Sequence, residues 1–268
     1  MAASPKRSVL ITIALAVTVW VWALAGTLFL LRWYAVERPA PPEKALFPYG
    51  EMRVGVDASY PPFAVATATD IFGLDIDLAL ALGEELNIPV RFVNLGYDGL
   101  YDALRTDQVD VLISALLVDP TRRGAVIYSP SYYNAGLVLV SGADSSVEKM
   151  GDLPGHRLAV EFGSQAQTEA GRWLRRVLAF EIRPYELPEY ALDAARLGDA
   201  DAALVDSIDA RLYLRDHDHW EAQVTLTTYA PFAIATRADR PDRATALNAA
   251  LHALIEDGML EEIIARYL

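Results

Sequence analysis

Met52-Arg53-Val54-Gly55-Val56-Asp57-Ala58-Ser59-Tyr60-Pro61-Pro62-Phe63, followed shortly by Gly73-Leu74-Asp75-Ile76-Asp77-Leu78, is the stretch that decides how this chain is read. Met52–Val56 is a short β-rich run that ends on an acid, Asp57. An aromatic residue and two prolines then turn the chain, and a Gly–acid pair leads into an apolar helix. A strand that delivers a carboxylate and an aromatic ring to a loop at its C-terminal edge is how open α/β sheets build ligand sites.

The same alternation continues outward from this motif. Val90–Asn94, Val109–Ile113, Leu137–Ser141, Arg157–Glu161, Ile182–Tyr185, Ala202–Asp206 and Ala233–Thr236 read as strands. Ile76–Leu86, Tyr97–Arg105, Ala166–Ala179, Glu189–Leu197 and Ser207–Arg215 carry apolar residues at helical spacing. Pro241–Leu268 is nearly all helical, with Gly258 as a break between two helices. Strands alternating with helices predict an α/β fold with mostly parallel sheets covered by helices. No repeat of 20–50 residues is visible.

Composition narrows the function. The 268 residues carry a formal net charge of −13, which argues against nucleic acid or an anionic membrane surface as a partner. There is no cysteine, so disulfides, thiolate metal sites, a cysteine nucleophile and a lipidated cysteine anchor are excluded. Of the four histidines only His217-x-His219 is closely spaced, and it lies in a polar stretch that reads as a solvated loop. No cofactor or metal is expected.

Val9–Leu31 is uncharged and almost wholly apolar. As a helix it would be ~34 Å long at ~1.5 Å per residue, enough to cross a hydrocarbon core of ~30 Å. Lys6 and Arg7 before it place residues 1–8 in the cytoplasm and everything after Arg32 outside. Ala23-Leu24-Ala25-Gly26 has the small-x-small form of a signal-peptide cleavage site, but the apolar run continues through Thr27–Leu31 beyond it. The reading is therefore a retained single-pass anchor at 9–31 in the inner (cytoplasmic) membrane. A Pro-rich linker at 32–48 follows, with an exported folded domain beyond it.

The opening motif closely resembles that of the bacterial extracellular solute-binding proteins of family 3, which capture polar amino acids for ABC importers. The likeness covers essentially everything after the linker. It implies two α/β lobes of the type II periplasmic-binding-protein kind, the first formed by 49–134 plus 233–268 and the second by 135–232. It also implies the ligand contacts. The segment Ser114-Ala115-Leu116-Leu117-Val118-Asp119-Pro120-Thr121-Arg122 resembles the family's small-residue strand end followed by the arginine that clamps the ligand α-carboxylate. Leu117 stands where relatives carry Ser or Thr, and so offers only its backbone N–H. Asp201-Ala202-Ala203-Leu204-Val205-Asp206 resembles the run whose final Asp binds the α-ammonium. Tyr60 and Tyr97 correspond to the rings that sandwich the side chain, and Asp57 to the acid at its polar end. Phe162-Gly163-Ser164-Gln165 resembles the turn at a helix N-terminus that meets the carboxylate, with Gln165 in place of a hydroxyl residue.

Each residue also has a plainer role open to it: surface charge for Arg122, helix N-cap for Asp206, core packing for the tyrosines. The expected function is a membrane-tethered receptor, not an enzyme, that closes on a small polar ligand and delivers it to an ABC permease. Two alternatives share the fold. One is a dehydratase of the prephenate or arogenate type, for which Glu161 is the unassigned acid to nominate. The other is a ligand-sensing regulatory receptor.

Overall fold

The computed structural model describes Gly26 and residues 46–268. Apart from Gly26, the expected transmembrane segment lies outside the described residues, as do the tail before it and most of the linker. Among the described residues no helix is long and apolar enough to cross a membrane.

From Met52 the chain runs β1 (Met52–Val56), β2 (Ser59–Tyr60), β3 (Ala64–Ala66), β4 (Ile71–Phe72), α1 (Leu74–Glu85), β5 (Val90–Asn94), α2 (Leu100–Arg105), β6 (Val111–Leu112) and β7 (Val126–Asn134). It continues through β8 (Leu137–Gly142), β9 (Arg157–Glu161), α3 (Gln165–Trp173), β10 (Glu181–Tyr185), α4 (Pro188–Leu197), β11 (Ala202–Asp206) and α5 (Ser207–Asp216). The last elements are β12 (Ala222–Leu226), β13 (Pro231–Arg237), α6 (Pro241–Glu256) and α7 (Met259–Tyr267).

These elements build two five-stranded sheets, one per lobe, and a small β2–β3–β4 sheet. The first sheet has the order β5-β1-β6-β13-β7, and the second β10-β9-β11-β8-β12. Within each, three strands are parallel, as their βα crossovers require. In each sheet four of the five strands run in one direction and only one is reversed. β13 is antiparallel to β6 and β7, and β8 is antiparallel to β11 and β12. In each case the chain arrives from the opposite lobe rather than over a helix, so direction is free to reverse.

β7 has no counterpart among the expected strands, and it carries Pro130 in its middle. Its edge position explains it: a proline that cannot donate is tolerated where a strand's outer side has no neighbour. α3 stops at Trp173, short of the expected Ala179, and tight turns finish the segment. Gly258 does separate two helices, in a left-handed conformation at φ +84°.

Apolar side chains of the second sheet pack on both faces, with Leu139, Leu158, Val160 and Leu204 on one side and Val140, Ala159, Ala203 and Val205 on the other. Two-sided burial is what makes these strands near-continuous hydrophobic runs. The lobes are joined where β7 passes into β8 and β12 into β13. There Ala135 N–H donates to the Ala230 carbonyl at 2.9 Å, and Leu137 N–H to Thr228 Oγ at 2.8 Å. The two segments run so close that a Cβ on Gly136 would lie 1.9 Å from the Thr228 carbonyl oxygen, so no other residue fits.

Each lobe is pinned at the end of its sheet away from the strand C-termini by the same device. Asp110, just before β6, accepts the Arg53 backbone N–H at 3.1 Å and holds its guanidinium at 2.8 and 3.0 Å. Asp201, just before β11, does the same for Arg157 at 2.7, 3.1 and 2.8 Å. In the first lobe Arg243 of α6 adds a second guanidinium, 2.8 Å from Asp110.

A candidate ligand-binding cleft

The parallel strands of both sheets point their C-terminal ends into the space between the lobes, which is where an open α/β sheet leaves backbone groups and loop side chains free for a ligand. β1 leads to Asp57, β6 leads towards Ser114, β9 ends at Glu161 and β11 at Asp206. A cavity of about 420 Å³ is lined by Asp57, Tyr60, Tyr97, Ser114, Leu117 and Asp206, with Ala115, Ala135 and Phe232 among its other walls. A second space of about 490 Å³ shares Tyr60 and Asp206 with it and reaches Glu161, Ser164, Gln165 and Asp209. Eight of the nine residues singled out from the sequence therefore face this pair of spaces.

Local chemistry sets each side chain. Asp57 sits in an Asx turn, its carboxylate accepting the Ser59 N–H at 3.1 Å and O–H at 2.7 Å. Its own N–H donates to Ser114 Oγ at 2.9 Å, which locks the end of β1 to the end of β6. Tyr60 stacks on Phe63 with ring centroids 5.5 Å apart and planes 9° from parallel, and Phe63 meets Phe232 edge-on at 5.3 Å. Tyr60 and Tyr97 remain about half exposed, at 47% and 50%, so core packing does not account for either ring. Burial first, and then the charge of Asp206, raise the Tyr60 hydroxyl above its ordinary pKa.

Asp206 and Ser164 open helices. Asp206 Oδ1 accepts the Ile208 N–H at 2.8 Å, so the plain N-cap role and a place in the cleft hold together. Burial raises its carboxyl and that N–H pulls it down. Ser164 caps α3, accepting the Gln167 N–H at 3.2 Å.

Arg122, expected as the carboxylate clamp, stands apart from the other eight. It lines neither space. Asp119-Pro120 opens a short 3-10 turn over Pro120–Arg122, and Arg122 Nε lies 3.1 Å from Asp119 on that same turn. The guanidinium also sits 4.0 Å from the centre of the Tyr101 ring, in a separate cavity with Arg105 and Arg237. The structure thus brings Asp206 together with Asp57 and the two tyrosines, but not with Arg122.

One wall residue escapes the sequence reading. Asp209 lies three positions after Asp206 on α5, on the same helix face. Burial, and then the charges of Asp206, Glu161 and Glu189, push its carboxyl up to about 6. The i,i+3 acid pair at a strand-to-helix junction is the available signal. Four carboxylates (Asp57, Glu161, Asp206 and Asp209) line the two spaces, and no Lys, Arg or His among the described residues does. Among the described residues no cluster of His, Asp or Glu is arranged to hold a metal ion.

A two-lobed α/β molecule with converging strand ends and a polar, aromatic-walled cleft has the form of a ligand-binding protein. Residues 52–268 match the model of the bacterial extracellular solute-binding proteins, family 3, and the chain belongs to that family. It is a solute-binding protein rather than an enzyme. It is 28% identical over 212 residues, 78% of this chain and 83% of the relative, to the arginine-binding extracellular protein ArtP of Bacillus subtilis (strain 168). It is 28% identical over 256 residues to the L-arginine-binding protein of Pseudomonas aeruginosa, covering 91% and 93% of the two chains. Among solved structures, an ancestral cationic amino acid solute-binding protein is 29% identical with a TM-score of 0.61, covering 84% of this chain and 98% of that one.

Proposed function

We propose that this chain is an extracytoplasmic receptor for an amino acid with a cationic side chain, which closes its lobes on the ligand and presents it to an ABC permease. The observation that carries the reading is the cleft's charge: four carboxylates and no cation among the described residues. Carboxylates gathered in a half-buried space repel one another and gain most from a ligand that brings positive charge. The names of the arginine-binding relatives point the same way.

In this reading Asp206 takes the α-ammonium and Asp57, with Asp209 opposite, the side-chain cation, while Tyr60 and Tyr97 cover the aliphatic stem. Ser114, the backbone of Leu117, and the Ser164–Gln165 helix start surround the carboxylate. Arg122 reaches that carboxylate by exchanging Asp119 for it. The exchange costs little, because both partners are more than a third exposed and water screens such a pair. The moving bodies are 49–134 plus 233–268 and 135–232, hinged near Asn134–Leu137 and Tyr229–Ala233. A retained helix at 9–31 tethers the receptor beside its permease in the inner membrane.

Thermal-shift and calorimetric titration of residues 49–268 with L-arginine, L-lysine, L-glutamine and L-glutamate tests the ligand class. L-arginine or L-lysine is expected to bind best, and small-angle scattering to show a smaller radius of gyration when it does. A preference for L-glutamate would overturn the charge argument. A bound ligand that leaves the scattering unchanged would overturn closure.

Asp209 supplies a second check. A bound cation favours the ionised carboxylate and draws its pKa down from about 6, so affinity rises with pH through 6 and falls below it. Asp209→Asn is expected to weaken L-arginine binding about tenfold at pH 7.5 and to flatten the dependence between about pH 5 and 6.5. Calorimetry across that range reads both.

A further inference from the structure

The Gly–acid pair of the opening motif takes no part in the cleft wall, yet its acid is wholly buried, with 0% exposure. Asp75 is the second residue of α1. Its Oδ2 accepts the Ala115 N–H at 2.7 Å, and its Oδ1 accepts the Tyr132 O–H at 2.8 Å. The first partner stands in the cleft wall and the second in the strand that leads to the crossing between the lobes. Ala115 lines the cleft and sits at φ +46°, a left-handed conformation that a residue with a Cβ holds only when its surroundings fix it there. Ser114, next to it, holds Asp57. Tyr132 lies in β7, two residues before the Asn134 crossing between the lobes.

We propose that Asp75 is a positioning residue for ligand binding: it fixes the strained cleft floor at Ala115, ties that floor to the crossing strand, and sets a negative charge behind it. The charge component rests on the cationic-ligand reading above.

Burial pushes the carboxyl up to about 7, while the Tyr132 O–H and the Ala115 N–H pull it down. The groups around it are few. Tyr132 faces it from β7 and the Ala115 amide from the segment after β6. On α1 itself Asp77 is engaged elsewhere, with Arg266 and Tyr267 of α7. The charge is felt in the cleft, since Asp75 is among the groups that raise the Tyr60 hydroxyl.

Two effects of opposite sign follow. A cation in the cleft favours ionised Asp75, so affinity rises with pH through about 7. Folding does the reverse. The folded state holds this proton more tightly than the unfolded chain, so the stability it contributes is complete below the unfolded value and is lost as pH rises through about 7. Asp75→Asn keeps an oxygen for the Ala115 N–H and gives an N–H to Tyr132, but removes the charge.

The experiment compares the native residue with Asp75→Asn, both in an Asp209→Asn background so that Asp209 does not titrate over the same range. At about pH 8 the Asp75→Asn chain is expected to melt no lower than its parent yet to bind L-arginine about three- to tenfold more weakly, with the difference gone at about pH 5.5. A merely structural Asp75 would lower melting temperature and affinity together, and equal affinity at that higher pH would remove the charge from the proposal. The holding role is read without ligand, from the Ala115 amide resonance of the ¹⁵N-labelled chain. It is expected to titrate near pH 7 when Asp75 is present and to stay still in the Asp75→Asn chain. An amide that does not move with Asp75 present overturns the proposal even if L-arginine binds. If no L-arginine binds the native chain while the amide titrates, the ligand class and the charge component fail and the holding role stands.

Discussion

Asp206→Ala is expected to weaken L-arginine binding by roughly 30-fold to several-thousand-fold. An ammonium buried against one carboxylate loses its counter-charge when that carboxylate goes, and such a contact, once broken, costs about 2–5 kcal/mol. Asp206 is suited to the part because it stands at the end of β11 on the rim shared by both cleft spaces, with one oxygen committed to the Ile208 N–H. Asp206→Asn keeps the helix cap and loses the charge, so it separates capping from binding: melting near the native temperature with binding still lost assigns the effect to the ligand. Arg122→Ala is the companion variant. If Arg122 leaves Asp119 for the ligand carboxylate, its loss falls in the same range. Calorimetry decides each, and a variant that binds within about threefold of the native chain is not a head-group clamp.

The largest expected effect on stability belongs to Asp110. It is wholly buried between the guanidinium groups of Arg53 and Arg243, themselves 6% and 1% exposed. Removing one member of such a set leaves charges in a place water cannot reach, which costs about 3–5 kcal/mol. For a chain of this size that is a fall in melting temperature of roughly 6–20 °C. Asp201→Ala removes the matching carboxylate of the second lobe, but Arg157 and Asp201 are 35% and 27% exposed, so water replaces what is lost. Less than half the Asp110 effect is expected there. Melting both variants by circular dichroism tests the comparison, and equal losses would mean that burial does not set the difference.

Much of this is legible before any coordinates. β1 runs into an acid and β11 ends on one because an apolar run buried on both faces must stop where the chain meets water, and those stops mark the cleft. What is not legible depends on partners distant in sequence. Pro130 hides β7, because edge position is a property of the sheet and not of the strand. Arg122 carries the family's residue at the expected place, but the direction of a long side chain is decided by what lies near it, here Asp119 and the Tyr101 ring. Asp209 looks like one more acid on an exposed helix face until β9 brings Glu161 to the same space. The left-handed Ala115 cannot be foreseen either, since a small non-glycine residue gives no local sign that a carboxylate 40 positions away will hold it.

The insertion of β13 between β6 and β7 bears on the order in which the molecule can assemble. All five strands of the second sheet come from the unbroken stretch Leu137–Leu226, so that lobe can form from its own segment. The first sheet lacks an interior strand until Pro231–Arg237 arrives, and contacts such as Thr236 with the Ile127 carbonyl join residues 109 apart. Closing a loop of that length is slow compared with local pairing. A chain that emerges N-terminus first therefore completes its second lobe before its first. Until then the strand edges of β6 and β7 stay open, and the ligand cleft, which needs both lobes, is the last feature to exist.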